Sequence, residues 1–212
     1  QSGRHKMITA ADCTGHGVPG AFMSMLGVST LNDIAAQKDL SGCPITAAAI
    51  LDGLRDKIIA ALQQQDSQQE AQDGIDMAFC IIDTEAMELQ FAGARRPLWI
   101  VRDKKIYEYK GDRMPIGYHI KGNMPFNNTV IPLKGGDTVY LASDGISCQP
   151  DGSSRRQKFT TKRLKNLLIE IQGKTMDEQR LAIEQAMNKW RAKPDGQLAP
   201  LIDDQILLGF RI

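Results

Sequence analysis

Ala11-Asp12-Cys13-Thr14-Gly15-His16-Gly17-Val18-Pro19-Gly20-Ala21 joins two segments of different periodicity. Residues 5 to 12 read as a strand ending in the apolar run Met7 to Ala11, and residues 19 to 37 carry apolar side chains at helical spacing and read as a helix. Glycines at 15, 17 and 20 allow a tight strand-to-helix turn. Pro19 suits a first helical turn, because its missing N–H would have no intrahelical partner there. Asp12 is thereby set at a strand end, on the kind of turn that often carries functional groups. A Gly-x-Gly turn alone is a helix entry and implies nothing further.

Two other stretches change that balance. Val139-Tyr140-Leu141-Ala142-Ser143-Asp144-Gly145 is an apolar strand ending in Asp-Gly, and Leu201-Ile202-Asp203-Asp204-Gln205-Ile206-Leu207-Leu208 is an Asp pair leading into another. Each aspartate, taken singly, reads as a turn residue sooner than as a ligand. If the strands are neighbours, their ends gather the carboxylates. Two unit charges ~4 Å apart repel by roughly 4 kcal/mol at an effective dielectric of 20. Divalent cations offset such repulsion. Mg²⁺ and Mn²⁺ favour carboxylate, carbonyl and water oxygens, and no His or Cys cluster competes for zinc.

Length and composition bound the remaining options. At 212 residues and 42% hydrophobic, the chain suits one domain that buries roughly 70% of its unfolded surface. A net charge of +1 gives no broad attraction to nucleic acid or to a membrane surface, so any phosphate recognition is local. Cys13, Cys43, Cys80 and Cys148 are scattered without Cys-x-x-Cys spacing and read as free thiols in a reducing compartment. No stretch reaches the ~20 apolar residues of a membrane span, and no signal-peptide pattern opens the chain. A cytoplasmic location is expected, including that of a cytoplasmic domain cut from a membrane-anchored protein.

The rest of the chain alternates helices and strands in blocks. Ser41-Gly42-Cys43-Pro44 ends the first helix, whose Met23, Met25 and Leu26 are expected in the core. Ile45 to Gln65 is a second helix, with Ile50, Leu51, Leu54, Ile58 and Leu62 on one face. Gln63 to Gly74 is polar and reads as a solvated link. The period then becomes two: residues 75 to 83, 88 to 92, 98 to 102 and 106 to 109 read as an antiparallel meander. A hairpin is predicted from residues 126 to 133 and 138 to 143 around Lys134-Gly135-Gly136-Asp137. Helices over residues 161 to 172 and 176 to 191 follow, then a strand from Gln205 to Ile212, apolar enough to be central. This order predicts an α+β fold with helices segregated from strands.

The first stretch, the Ala92-Gly93-Ala94-Arg95-Arg96-Pro97-Leu98 turn, Met114-Pro115-Ile116-Gly117, Ser143-Asp144-Gly145 and Asp203-Asp204-Gln205-Ile206-Leu207-Leu208 resemble, in order and spacing, one known family. It is the SpoIIE/RsbU-like branch of bacterial metal-dependent serine/threonine phosphatases, in the type 2C (PPM) superfamily, and the resemblance covers almost the whole chain. It implies an αββα sandwich of two antiparallel sheets flanked by helix pairs, with two Mn²⁺ or Mg²⁺ ions at one edge. Asp12 would bridge both ions and the Cys13 carbonyl would bind one. Asp144 and Asp203 would complete the other, with Asp204 as an outer partner or an alternative ligand. Metal-held water would attack phosphoserine or phosphothreonine in line, without a phosphoenzyme. Thr14, Gly15, His16, Gly17 and Gly145 would form and support the turns around these ligands. His16 is read as ordering its turn rather than as a general acid. Arg95 and Arg96 either orient the phosphate or are surface arginines.

The chain departs from the family pattern twice. Members usually carry another metal-binding Asp in a Gly-Asp-aromatic motif on a strand that would precede residue 1. Residues 1 to 212 therefore read as a phosphatase catalytic domain lacking its N-terminal strands, with one metal site incomplete and low activity. Many relatives also have an acidic residue where this chain has Cys148, whose thiol suits a hard cation poorly. The expected substrate is a phosphorylated regulatory protein, such as an anti-sigma-factor antagonist. An upstream sensory or membrane region and a homodimer are further expectations, and the resemblance implies a regulatory switch through movement of the two helices after the glycine-rich turn; nucleic acid is not expected as a partner. The alternative is a phosphatase-like binding module, catalytically weak or inactive. Retention of Asp12, Asp144 and Asp203 argues against it, because a binding module has little use for a repulsive cluster.

Overall fold

A computed structural model describes residues 5–15, 17–41, 46–63, 73–119 and 124–212. His16, Cys43, the Gly42–Pro44 break and most of the polar link after the second helix lie outside them. The chain divides into two compact units, Gln1–Leu98 with Lys110–Leu133, and Trp99–Tyr109 with Lys134–Ile212.

The first unit begins with β1 (His5–Cys13), α1 (Gly17–Ser41) and α2 (Ala47–Ala61). Its strands β2 (Ile75–Asp83) and β3 (Glu88–Ala94) continue the sheet, and β6 (Thr129–Pro132) completes the antiparallel order β1-β2-β3-β6. Gly15 and Gly17 adopt φ of +93° and +65°, left-handed torsions that glycine reaches without strain, so the predicted turn forms. The Thr46 hydroxyl caps α2 by accepting from Ala49 N. Ile50, Leu51, Leu54 and Ile58 of α2 then pack with Phe79, Ile81 and Ala92 of the sheet. Leu62 falls beyond the last helical residue and is partly exposed, so the predicted apolar face stops at Ile58. In α1, Met23 is buried and Leu26 packs against the core, but Met25 is 69% exposed. Two residues along a helix is roughly 200° of rotation, which turns Met25 away from the face that Met23 buries.

One buried cation ties a loop to α2. The Arg55 guanidinium donates to Met124 O at 2.7 Å and to Asp52 at 2.9 Å, and sits 4.9 Å from the Phe126 ring centroid. Asp52 also accepts from Phe126 N, so the segment after Met114-Pro115-Ile116-Gly117 is fastened by charge-assisted bonds. Ile75 and Ile116 exchange backbone hydrogen bonds at 2.9 Å, which sets that motif beside the start of β2.

The second unit holds β4 (Leu98–Arg102, from Trp99 on), β5 (Lys105–Tyr109), β7 (Thr138–Ala142) and β8 (Leu207–Arg211), in the order β5-β4-β7-β8. A short α3 (Gly145–Cys148), α4 (Thr161–Glu170) and α5 (Met176–Arg191) lie between β7 and β8 in sequence. The capping box of Thr175 and Glu178 starts α5. Trp99, Val101, Tyr140, Ile146, Phe159, Leu164, Leu168 and Met187 form this unit's core.

The α+β class and the two antiparallel sheets agree with expectation, but the pairing differs in three places. The meander is broken, because β3 and β4 belong to different sheets. The predicted hairpin is not one, since β6 pairs with β3 while β7 pairs with β8. The last strand lies at the edge of its sheet, with half-buried residues, rather than at the centre. Short connections and period-two apolar patterns identify strands without naming their partners.

Candidate active site

In the first unit Asp12 is the penultimate residue of β1 and is the Cα partner of Asp76 at the start of β2. Thr14 N donates to Gly74 O at 2.9 Å and Gly74 N donates to the Thr14 hydroxyl at 3.3 Å, tying the glycine-rich turn to the residues before β2. Arg96 Nη2 lies 3.1 Å from Asp12 Oδ2 and 3.2 Å from Asp76 Oδ2. Arg95 reaches the other oxygen of Asp76 at 3.5 Å. Arg96 is thus brought to Asp12, and Arg95 to its strand partner Asp76.

The turn after β3 explains how. Arg95 takes φ of 58° and donates its N–H to Asp112 O, while Arg96 N donates to Ala94 O across one residue. A Cβ at Gly93 would lie 2.3 Å from the Arg96 carbonyl oxygen, so only glycine lets the chain fold back this tightly. A bridge between Met77 and Arg95 holds the turn against β2, next to Asp76.

In the second unit Asp144 follows β7 and Asp203-Asp204 precedes β8, and the structure brings these segments together. Ser143 N donates to Ile206 O at 3.0 Å, Ile206 N donates to the Ser143 hydroxyl at 3.1 Å, and that hydroxyl donates to Asp204 O at 3.1 Å. Asp203 accepts from Asp204 N at 2.9 Å. The fully buried Gln149 accepts from the Gln205 side chain at 3.0 Å and donates to Pro200 O at 3.0 Å, securing the approach to β8. The Cys148 thiol is 4.0 Å from Asp144 Oδ2 and 3.8 Å from Lys158 Nζ.

Gly145 is required for that closeness. A Cβ there would lie 2.1 Å from the Asp204 carbonyl oxygen, a backbone atom that no side-chain rotation can move. Gly145→Ala is therefore expected to destabilise the protein by about 1–3 kcal/mol, in the range of overpacking changes, and to displace Asp204. Urea unfolding measures the first effect; unchanged stability would show that the backbone yields freely.

Each unit carries oxygen donors of the type that the family resemblance implies. Asp12, Asp144, Asp203, Asp204 and the Cys13 carbonyl are hard oxygen donors suited to Mg²⁺ or Mn²⁺, although among the described residues no three His, Cys, Asp or Glu side chains gather as one cluster. Cys13, Cys80 and Cys148 are free thiols. Burial pushes the Cys80 thiol well above its ordinary range, which removes it as a nucleophile. Among the described residues no helix is long and apolar enough to cross a membrane.

Asp76, Ser143 and Gln149 had no assigned role in the sequence. Asp76 carried a readable signal, a carboxylate one residue into the apolar run Ile75 to Ile82.

A family model described as stage II sporulation protein E (SpoIIE) matches residues 2–212. The SiaA-PP2C domain of Pseudomonas aeruginosa superposes with a TM-score of 0.83 at 26% identity, over 100% of this chain and 78% of its own. The SpoIIE phosphatase domain with a regulatory fragment, from Bacillus subtilis, gives 0.68 at 19% identity, over 98% of this chain and 53% of its own. The RsbU and RsbW domains of a Mycobacterium tuberculosis protein give 0.71 at 19% identity, over 99% of this chain and 52% of its own. The chain thus spans about half the length of the last two. No curated protein matches it in sequence.

Proposed function

The chain belongs to the stage II sporulation protein E family, as a SpoIIE/RsbU-like domain with the PP2C phosphatase fold, and on that footing we propose that it hydrolyses phosphoserine or phosphothreonine on a regulatory protein. The observation that carries the reading is the Arg96 guanidinium 3.1 Å from the Asp12 carboxylate at the strand end. We read this pair as a cation for a phosphoryl oxygen beside a carboxylate for a hard metal.

Each residue then has a task. Asp12 and the Cys13 carbonyl, with Asp144, Asp203 and Asp204, are the oxygens we assign to divalent cations. Bound cations of this type lower the pKa of water and neutralise charge on phosphoryl oxygens. Arg96, and the more exposed Arg95, orient the phosphate, and the remaining work is positioning and electrostatics. Gly145 and Ser143 hold Asp204 against the end of β7. The glycine-rich turn with Thr14 supports Asp12, and His16 is assigned to the same turn.

The substrate class we favour is a phosphorylated regulator of the anti-sigma-factor-antagonist kind, with a cytoplasmic location and an upstream sensory or membrane region. Its support is the likeness to a protein that joins RsbU and RsbW domains. The test is phosphate release from p-nitrophenyl phosphate and from a phosphoserine-bearing antagonist protein, with Mn²⁺ and then with EDTA. Turnover that survives chelation would sink the metal-dependent reading; no release from the phosphoprotein would sink the substrate class.

A further inference from the structure

Asp12 and Asp76 are direct partners across the antiparallel β1–β2 ladder, so their side chains share one face of the sheet. Like charges placed directly opposite destabilise a strand pair. Arg96 offsets this by contacting both carboxylates, at 3.1 and 3.2 Å. Asp76 in turn contacts both arginines, Arg96 through Oδ2 and Arg95 through Oδ1. Exposure separates the two contacts. The Arg95 side chain is 47% exposed and its pairing is screened by solvent, whereas Arg96 is 15% exposed and Asp76 is 19% exposed.

We propose that Asp76 is a positioning residue that keeps the Arg96 guanidinium beside Asp12 while a divalent cation occupies the Asp12 carboxylate. The inference rests on the phosphatase reading above and extends it to a residue outside the ligand set. If Asp12 were the sole carboxylate at hand, the cation and the guanidinium would compete for it, and their like charges would repel. Asp76 gives Arg96 a second carboxylate on which to remain, 3.2 Å from the same Nη2 that meets Asp12. The charges agree with this role. Two guanidiniums contact the two carboxylates, and a divalent cation on Asp12 would add positive charge beside them.

A double-mutant cycle on Mn²⁺ affinity, read by titration calorimetry on the intact protein, tests this. Asp76→Asn keeps the side-chain shape and removes the charge. In the native background it is expected to weaken Mn²⁺ binding about tenfold, the lower range for loss of an outer partner of a metal ligand. In an Arg96→Gln background the same change should alter affinity by less than about twofold, because the competing cation is gone. Asp76→Glu, which restores a carboxylate, should recover most of the native affinity. Equal weakening in both backgrounds would mean that Asp76 acts by general charge and not through Arg96, and overturns the proposal; so does no weakening in either. Absence of Mn²⁺ binding by the unmutated protein overturns the phosphatase reading itself, and the role of Asp76 with it.

Discussion

Replacing Asp12 by alanine is expected to cut Mn²⁺-dependent hydrolysis of p-nitrophenyl phosphate on the order of a thousandfold while leaving the protein folded. The size follows from the several kcal/mol of charge stabilisation that a bound cation supplies to a phosphoryl or carbonyl transition state. The fold should survive because Asp12 lies at the end of β1 and Arg96 keeps its contact with Asp76 at 3.2 Å. Relieving the opposed pair of carboxylates also removes a repulsion. Asp195, whose carboxylate accepts from Gln197 N in an exposed turn, is the control: Asp195→Ala should leave turnover unchanged. Equal rates for the native and Asp12→Ala proteins would reject the assignment of Asp12. The same assay on Asp203→Ala and Asp204→Ala separates the two adjacent aspartates, with the larger loss marking the metal ligand.

The largest effect on stability is expected at Asp137, just before β7. Its side chain is 1% exposed and accepts from Arg102 Nε at 2.7 Å, from a second nitrogen of that guanidinium, and from Lys134 N at 2.8 Å. Asp137 O also accepts from Ile212 N, so the residue joins the turn before β7 to the end of the chain. Asp137→Asn preserves the shape but leaves Arg102 facing a neutral amide, at a cost of about 3 kcal/mol. Burial alone would raise the Asp137 pKa, but the hydrogen bonds from Arg102 and Lys134 N outweigh it and hold the carboxyl below its ordinary value. The unfolded chain therefore binds this proton more readily than the folded one. The contribution is complete above about pH 5, where an unfolded aspartate is almost fully ionised, and is lost as the pH falls through the depressed native value. Urea unfolding of both proteins from pH 7 to pH 2 checks this, and the gap between them should close on acidification. A gap independent of pH would assign the loss to packing instead of charge.

The residues of the candidate site were legible in part. Asp12, Asp144 and the Asp203-Asp204 pair announced themselves because each adjoins an apolar strand, and an acidic side chain at a strand end is visible in any linear reading. Gly145 was visible as half of an Asp-Gly turn, but its reason was not, since the Asp204 carbonyl that excludes a side chain is supplied by a segment roughly sixty positions away. Arg96 stood out only as one of two adjacent arginines. Its contact with Asp12 depends on a turn closed by Gly93 and on a bridge from Arg95 to β2.

What the amino-acid order determined on its own was local and periodic. It specified where helices and strands run, the glycine turn after β1 and the family to which the ordered motifs belong. Tertiary structure alone decided which strands pair: β6 against β3, β8 at an edge, and β3 separated from β4 by the turn that carries Arg95 and Arg96. It alone set Asp76 opposite Asp12. The physical reason is that a strand's alternation reports which face is buried, whereas its hydrogen-bonding edges are the same backbone whatever the sequence. The neighbour is chosen by packing and by register among residues distant along the chain.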